Sequence, residues 1–375
     1  MKIAFYAPLK PPDHPTPSGD RRIARLLLEA LKLGGHEVSL ASRLRSRDAG
    51  GEQMRQARIA DLGQRLAARL LKRYSRSGNP PDLWLTYHLY YKAPDWIGPL
   101  VSAALGVPYV VVEASHAPKR AGGAWDIGHR AVEQAVQGAA RVICLNPNDR
   151  ACLEPLASGR ISTIAPFLNA HPYRSAHSIR DELSRTYGMP NGVPWLLAVG
   201  MMRHGDKLAS YRMLADALRP LTDRAWRLVV AGDGAAGAEV RGAFSSLGNR
   251  IAWLGAVDES RLASVYKSVD ALTWPAVREA FGMALLEAQA AGLPVIAGNT
   301  DGVPAIVRDG ETGLLPQPGD TAAFTAAIAQ LLADGHRREA MGLAARDRVL
   351  RHHSLESAAR QLDDILQDAL CHFSA

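Results

Sequence analysis

Two glutamates, Glu279 and Glu287, stand in the segment PAVREAFGMALLEAQAAGLPVIA (275–297). The residues after Gly282 are apolar almost all round and Glu287 is the only charge among them, so the pattern predicts a buried helix ending at Gly292. A carboxylate on such a helix needs a partner. An ionised carboxylate only accepts hydrogen bonds, which suits the adjacent hydroxyls of a ribose. The backbone N–H groups of Phe281, Gly282 and Met283 would open the helix, where its dipole favours an anion such as a diphosphate. Glu279 lies just ahead of that start and can accept from another polyol. The plainer alternative is an exposed charge at Glu279 and a buried ion pair at Glu287. Their place on an apolar helix directly after a strand favours a ligand.

A second glycine pattern offers different chemistry. WRLVVAGDGAAG carries Gly232, Gly234 and Gly237 in a G-x-G-x-x-G spacing after a strand, with Asp258 about 20 residues beyond, the dinucleotide fingerprint of an NAD(P)-dependent oxidoreductase. The next strand, however, ends at Gly255 without an acid at its tip. That alternative ranks low. In the first half, Gly19 follows the first strand and opens a helix, where a glycine allows close approach to a phosphate or sugar. His116, in EASHAPKR, follows another strand, with Glu113 competing for the same task and His88 a weaker candidate. No metal-ligand spacing is visible, and Cys144, Cys152 and Cys371 are too scattered for a disulfide framework or a thiolate site.

Positioning these residues requires a particular architecture. Strand candidates at 2–6, 37–41, 83–87, 108–113 and 141–145 alternate with helical stretches such as DRRIARLLLEALKLGG. The rhythm restarts after a looser segment, 169–194, with strands at 195–200, 226–231, 251–254, 271–275, 294–297 and 313–316. Residues 321–371 read as two or three helices. Strand–helix alternation predicts parallel sheets covered on both faces, with ligands at the carboxyl ends of the strands. The expectation is α/β: two doubly wound, Rossmann-like domains facing an interdomain cleft. Their predicted extents are 1–170 and 171–350, with a final helix, 351–375, packing back toward the first.

The run E-A-F-G-M-A-L-L-E, with AQAAGLPVIAG and DGETGLLPQPGD after it, resembles the E-x7-E signature of glycosyltransferase family 4. The resemblance is strongest over 195–335 and weaker over 1–170. It implies a GT-B fold and retaining transfer of a sugar from a nucleotide-sugar donor, UDP- or GDP-linked, to a glycan or lipid-linked acceptor, in cell-envelope or exopolysaccharide synthesis. It implies no cofactor beyond that donor, and no metal. Carried over by residue, Glu279 would contact the donor sugar, Glu287 the ribose, and Phe281, Gly282 and Met283 the diphosphate or sugar. VGMMRHGDKLAS (199–210) resembles the family's phosphate-binding segment, so Lys207 and Arg203 would stabilise the leaving diphosphate. Met201 takes the place of the usual arginine, and Ala305 that of a common acid. Gly19 would approach the donor from the first domain. Gly232 and Gly234 would lie near the nucleotide base, and His116 near the donor sugar. A non-catalytic nucleotide-sugar binding protein is the other alternative.

Composition narrows the setting. The 375 residues are 47% hydrophobic and 22% charged, which excludes disorder, and carry a net charge of +7. Residues 1–170 hold 23 Lys and Arg against 14 Asp and Glu, a net of +9, and the remainder has −2. The excess lies in the acceptor half, pointing to an anionic acceptor or a membrane that presents one. The stretch 53–77 has seven Lys and Arg against one Asp, with Ile59, Leu62, Leu66 and Leu70 at helical spacing. It reads as a core-facing helix, or one touching an anionic membrane. No stacking aromatics accompany the basic residues, so nucleic acid is not expected as a partner. The N-terminus is a proline-broken strand with no signal character, and the expectation is a cytoplasmic protein, peripheral at the inner membrane face if the helix docks there.

Overall fold

A computed structural model describes residues 1–16, 18–279 and 282–373. The chain divides into two compact units, Met1–Ala165 with Leu355–Ala375, and Pro166–Ser354. The first unit holds β1 (Lys2–Tyr6), β2 (Glu37–Ser42), β3 (Leu83–Leu89), β4 (Tyr109–Ala114), β5 (Arg141–Cys144) and β6 (Ile161–Thr163). The second holds β7 (Trp195–Val199), β8 (Arg227–Ala231), β9 (Ile251–Gly255), β10 (Ala271–Trp274), β11 (Val295–Ala297) and β12 (Gly313–Leu314).

Every paired strand runs parallel to its neighbours, in the orders β2-β1-β3-β4-β5-β6 and β12-β11-β10-β7-β8-β9. The inner strands are largely apolar because helices cover both faces, whereas the edge strands β2 and β6 are mixed. Val110, Val111, Val112, Leu196, Leu197, Val229 and Val230 are all buried, as are Trp84, Trp195 and Trp226. Strand order reverses between β1 and β3 in one sheet and between β7 and β10 in the other, and these switch points open crevices at the strands' carboxyl ends. β6 is the strand that sequence reading missed. With only three residues, ending in Ser162 and Thr163, it carries too little apolar signal to register.

The units part at Ala165/Pro166, a few residues before the expected boundary. The reason is local: Leu168 N–H donates to the His353 carbonyl (3.0 Å), and His353 Nδ1–H donates to the Pro166 carbonyl (2.7 Å), tying both crossing segments to the second unit. The final helix, Leu355–Phe373, belongs to the first unit, where Asp368 pairs with Arg141. Its four acids and one base reduce that unit's net charge to +6, from 24 Lys and Arg against 18 Asp and Glu.

The basic helix spans Gln53–Ser77, but its buried face is Gln56, Gly63, Ala67, Leu70 and Tyr74. Leu62 is exposed because Gly63 and Ala67 take the close approach beside Leu70: a Cβ on Gly63 would stand 2.3 Å from the Cβ of Trp96. Among the described residues, no helix is long and apolar enough to cross a membrane.

Candidate functional site: two strand edges

In the second unit, the loop after β7 leads into the helix Asp206–Leu218, and Lys207 stands in its first turn. The Lys207 ammonium pairs with the Glu279 carboxylate, from 72 positions away, which arrives on the loop after β10. Trp274, buried at the end of β10, donates its indole N–H to the same carboxylate (3.3 Å), and Lys207 Nζ lies 5.2 Å from the Trp274 ring centroid. A cation, a carboxylate and an aromatic floor therefore meet at the β7/β10 switch point. Both charged side chains keep part of their surface open, at 27% and 19%. The loop carrying Glu279 is held in a demanding conformation, with Ala276 at φ 56° and Arg278 at φ 51°. Such backbones persist only where surroundings enforce them. Here Ser210 Oγ accepts from Val277 N–H (3.0 Å), and Thr300 Oγ1 donates to the Ala276 carbonyl (2.6 Å).

The helix Met283–Ala291 starts at Gly282, in the left-handed region at φ 66°, without a side-chain cap. Its opening N–H groups are the kind that hold anions. Phe281 and its neighbour Ala280 lie outside the described residues. Glu287 is only 2% exposed, and its Oε2 accepts from the buried Tyr266 hydroxyl (2.9 Å). The structure thus shows a protein partner for the carboxylate that sequence reading gave to a ribose. Arg203 is exposed on the loop ahead of Lys207's helix, and Met201, in the usual place of the arginine, is 49% exposed.

Gly232 and Gly234 serve packing. A Cβ on Gly232 would stand 1.9 Å from the Gly200 carbonyl oxygen, and one on Gly234 2.4 Å from that of Met202. The β7 and β8 loops are laced together by Met202 N–H to the Asp233 carbonyl (2.9 Å) and Ala236 N–H to the Met202 carbonyl (2.9 Å). The glycines leave room for backbone, and they sit on β8, one strand away from the switch point. Asp258 caps the helix Glu259–Tyr266 instead of standing at a strand tip. Nothing in this turn's geometry favours a dinucleotide.

In the first unit the switch-point crevice is a cavity of about 510 Å³ lined by Leu9, Lys10, Asp20, Arg45, Arg47, His88 and Tyr90. Asp20, in the first turn of the helix Gly19–Leu33, lies 3.1 Å from His88 Nδ1. The His88 contact holds the Asp20 carboxyl below its ordinary range. Burial pushes His88 down, but Asp20 and Glu113 together override it and raise it. Glu113, at the end of β4, is pushed up to about 7 by burial, with Asp149 and Asp20 adding to the rise against the pull of His88. His88 and Glu113 both occupy the left-handed region, at φ 63° and 60°. Sequence reading gave His88 its lowest rank in this half; its only signal was its place after a strand. A Cβ on Gly19 would meet nothing within 4 Å, so packing does not demand a glycine there.

His116 is turned away from that cavity's lining into a different cluster, beside Glu133 (2.9 Å) and stacked on His129 at 5.3 Å between centroids. Sequence reading named no metal ligands. His129 and Glu133 gave no signal because their partner lies outside the helix they share.

The two parallel six-stranded sheets and their switch points make a GT-B architecture, and the Lys207–Glu279 pair stands at the second unit's edge. Residues 193–334 match the family described as Glycosyl transferases group 1. A D-inositol 3-phosphate glycosyltransferase of Corynebacterium diphtheriae is 31% identical over 218 residues, 56% of this chain and 51% of the relative. The chain thus spans about half the length of the curated relatives it matches. A glycosyltransferase structure from Rickettsia africae superimposes with a TM-score of 0.77 at 18% identity, over 98% of each chain. Anabaena HepE in complex with UDP gives 0.73 at 17% identity, over 98% of this chain and 100% of that one.

Proposed function

We propose that this protein is a retaining glycosyltransferase that moves a sugar from a nucleoside-diphosphate sugar to a hydroxyl of an anionic acceptor. The observation that carries the reading is the meeting of Lys207, Glu279 and the uncapped helix start at Gly282 at one switch point. In this reading Lys207 trades its bond to Glu279 for the donor diphosphate, and the freed Glu279 accepts from sugar hydroxyls. The N–H groups at the helix start face the phosphate charge as it grows, and Arg203 adds a mobile cation. The bond from the anomeric carbon to the phosphate oxygen breaks and the acceptor oxygen bonds to the same face. The hydroxyl proton passes to the leaving phosphate. Glu287 would contribute to the ribose pocket beside Tyr266.

The acceptor belongs to the first unit. Lys10, Arg45, Arg47 and the raised His88 line one cavity with a single carboxylate, Asp20, among them. That set suits a phosphate-bearing polyol, with Tyr90 and Asp20 left for its hydroxyls. The relatives named for inositol 3-phosphate make a phosphorylated inositol the first acceptor to try, ahead of a glycan or lipid-linked one. The arginine-rich outer face of Gln53–Ser77 would hold the protein at an anionic membrane if the acceptor resides there.

Thermal-shift measurements with UDP, GDP, ADP and NAD, followed by transfer assays with the nucleotide that stabilises, test the reading. Stabilisation by UDP or GDP, with sugar transfer to a phosphorylated polyol, is expected. Stabilisation by NAD alone would overturn it.

A further inference from the structure

His116, His129 and Glu133 make an arrangement that the transfer reaction does not use. His116 stands in the loop after β4, and His129 and Glu133 are one turn apart on the helix Asp126–Gln137. His116 Nδ1 lies 3.2 Å from the Cys152 carbonyl oxygen. That oxygen only accepts, so Nδ1 carries a proton and Nε2 is the ring's remaining ligand atom. Nε2 lies 2.9 Å from Glu133 Oε1, and His129 Nε2 lies 3.4 Å from the same oxygen. Side-chain exposure is 7% for His116 and 3% for His129, so both imidazoles are held largely out of water. A cation at the centre would meet two imidazole nitrogens and a carboxylate oxygen.

The dimensions suit a metal. One ligand atom from each residue falls within 4.8 Å of the other two. Four ligands at zinc–nitrogen and zinc–oxygen bond lengths stand about 3.3 Å from one another, and the two histidine nitrogens lie 2.9 and 3.4 Å from Glu133 Oε1. Two imidazoles exclude magnesium and calcium, which take oxygen sets. The Cys152 carbonyl supplies the outer contact that fixes a ligating imidazole. Glu133 is 33% exposed and leaves a fourth position open to water.

We propose that His116, His129 and Glu133 bind one zinc ion, which pins the loop after β4 to the helix Asp126–Gln137. The site gives His116 a task other than contact with a donor sugar, and it stands whether or not the chain transfers sugars. The test uses the full chain without a histidine tag, stripped by chelator and titrated with zinc chloride in a calorimeter. One equivalent bound, with a raised Tm, is expected. Cobalt(II) substitution should give ligand-field bands without a thiolate charge-transfer band, which separates this site from Cys144, Cys152 and Cys371. His129→Ala should abolish the stoichiometric binding, and Glu133→Gln, at a partly exposed position that tolerates change, should weaken it at least tenfold. Absence of a bound equivalent, a thiolate band, or unchanged affinity in Glu133→Gln would each overturn the proposal.

Discussion

The carboxyl edges of the two sheets are built on one plan and filled differently. Each holds an ion pair at its switch point, Asp20–His88 in the first unit and Lys207–Glu279 in the second. Each also contains non-glycine residues in the left-handed region, His88 and Glu113 against Ala276, Arg278 and Asp301. The second edge draws on a compact set: one lysine, one glutamate, a helix start and an indole. The first collects Lys10, Arg45, Arg47 and His88 from three chain segments around a cavity, with Glu113 and Asp149 close enough to act on His88. In the functional reading, the second edge meets a diphosphate and sugar, a fixed group that backbone N–H and one cation can hold. The first meets an acceptor whose shape side chains must match.

The largest test of this contrast is Lys207→Ala. If the second edge stabilises the leaving group, kcat should fall by about a hundredfold to a thousandfold, with Lys207→Arg keeping part of it. A loss confined to KM would move the chemistry elsewhere.

Next is the pair of glutamates. Glu287→Ala leaves the buried Tyr266 hydroxyl without the carboxylate it donates to, and should destabilise by about 1–3 kcal/mol and weaken nucleotide binding. Glu279→Gln keeps the fold and should impair transfer without lowering Tm. Calorimetry and nucleotide titration of both variants separate the two roles; equal stabilities would break the distinction.

The units should also respond oppositely to pH. Glu113 has a folded value of about 7, above its unfolded one, so the native state binds more protons between roughly pH 4.5 and 7. Its contribution therefore weakens as pH rises through that window. Glu113→Gln should raise Tm relative to the parent at pH 8 and lose that advantage near pH 4.5. His353, in the second unit, is held at about 4 by burial, below its unfolded value near 6.5. There the unfolded state binds more protons, so stability falls as pH drops from about 6.5 to 4. A His353→Gln variant should lose that slope; Tm against pH for both variants is the measurement.

The smallest effect concerns the rim. Arg47→Ala should raise KM for a phosphorylated acceptor by about tenfold, with the donor KM unchanged and the difference shrinking at high salt. Equal changes in both constants would erase the division of labour between the edges.

Much of the second edge was legible in the sequence because its parts are local. The strand ending in ALTW, the apolar helix and the glycines at 282 and 292 are adjacent in the chain, and Glu279 and Glu287 are read by counting along it. Strand–helix alternation likewise fixed eleven strands and both sheets' class, since burial on two faces leaves a continuous apolar run. Tertiary structure decided what depends on distant partners. Lys207 meets Glu279 only when β7 and β10 pair, and Tyr266 reaches Glu287 from another helix. The glycines of the dinucleotide-like turn could not be told from a cofactor loop until the Gly200 and Met202 carbonyls were seen against them. Asp20, His88 and Glu113 converge through the parallel pairing of β3 with β1 and with β4, and His116 meets His129 and Glu133 through a loop folding onto a helix. A chain states its periodicities and its local caps; which side chains lose water together is set by the crossover connections, and that desolvation is what turns ordinary carboxylates and imidazoles into a site.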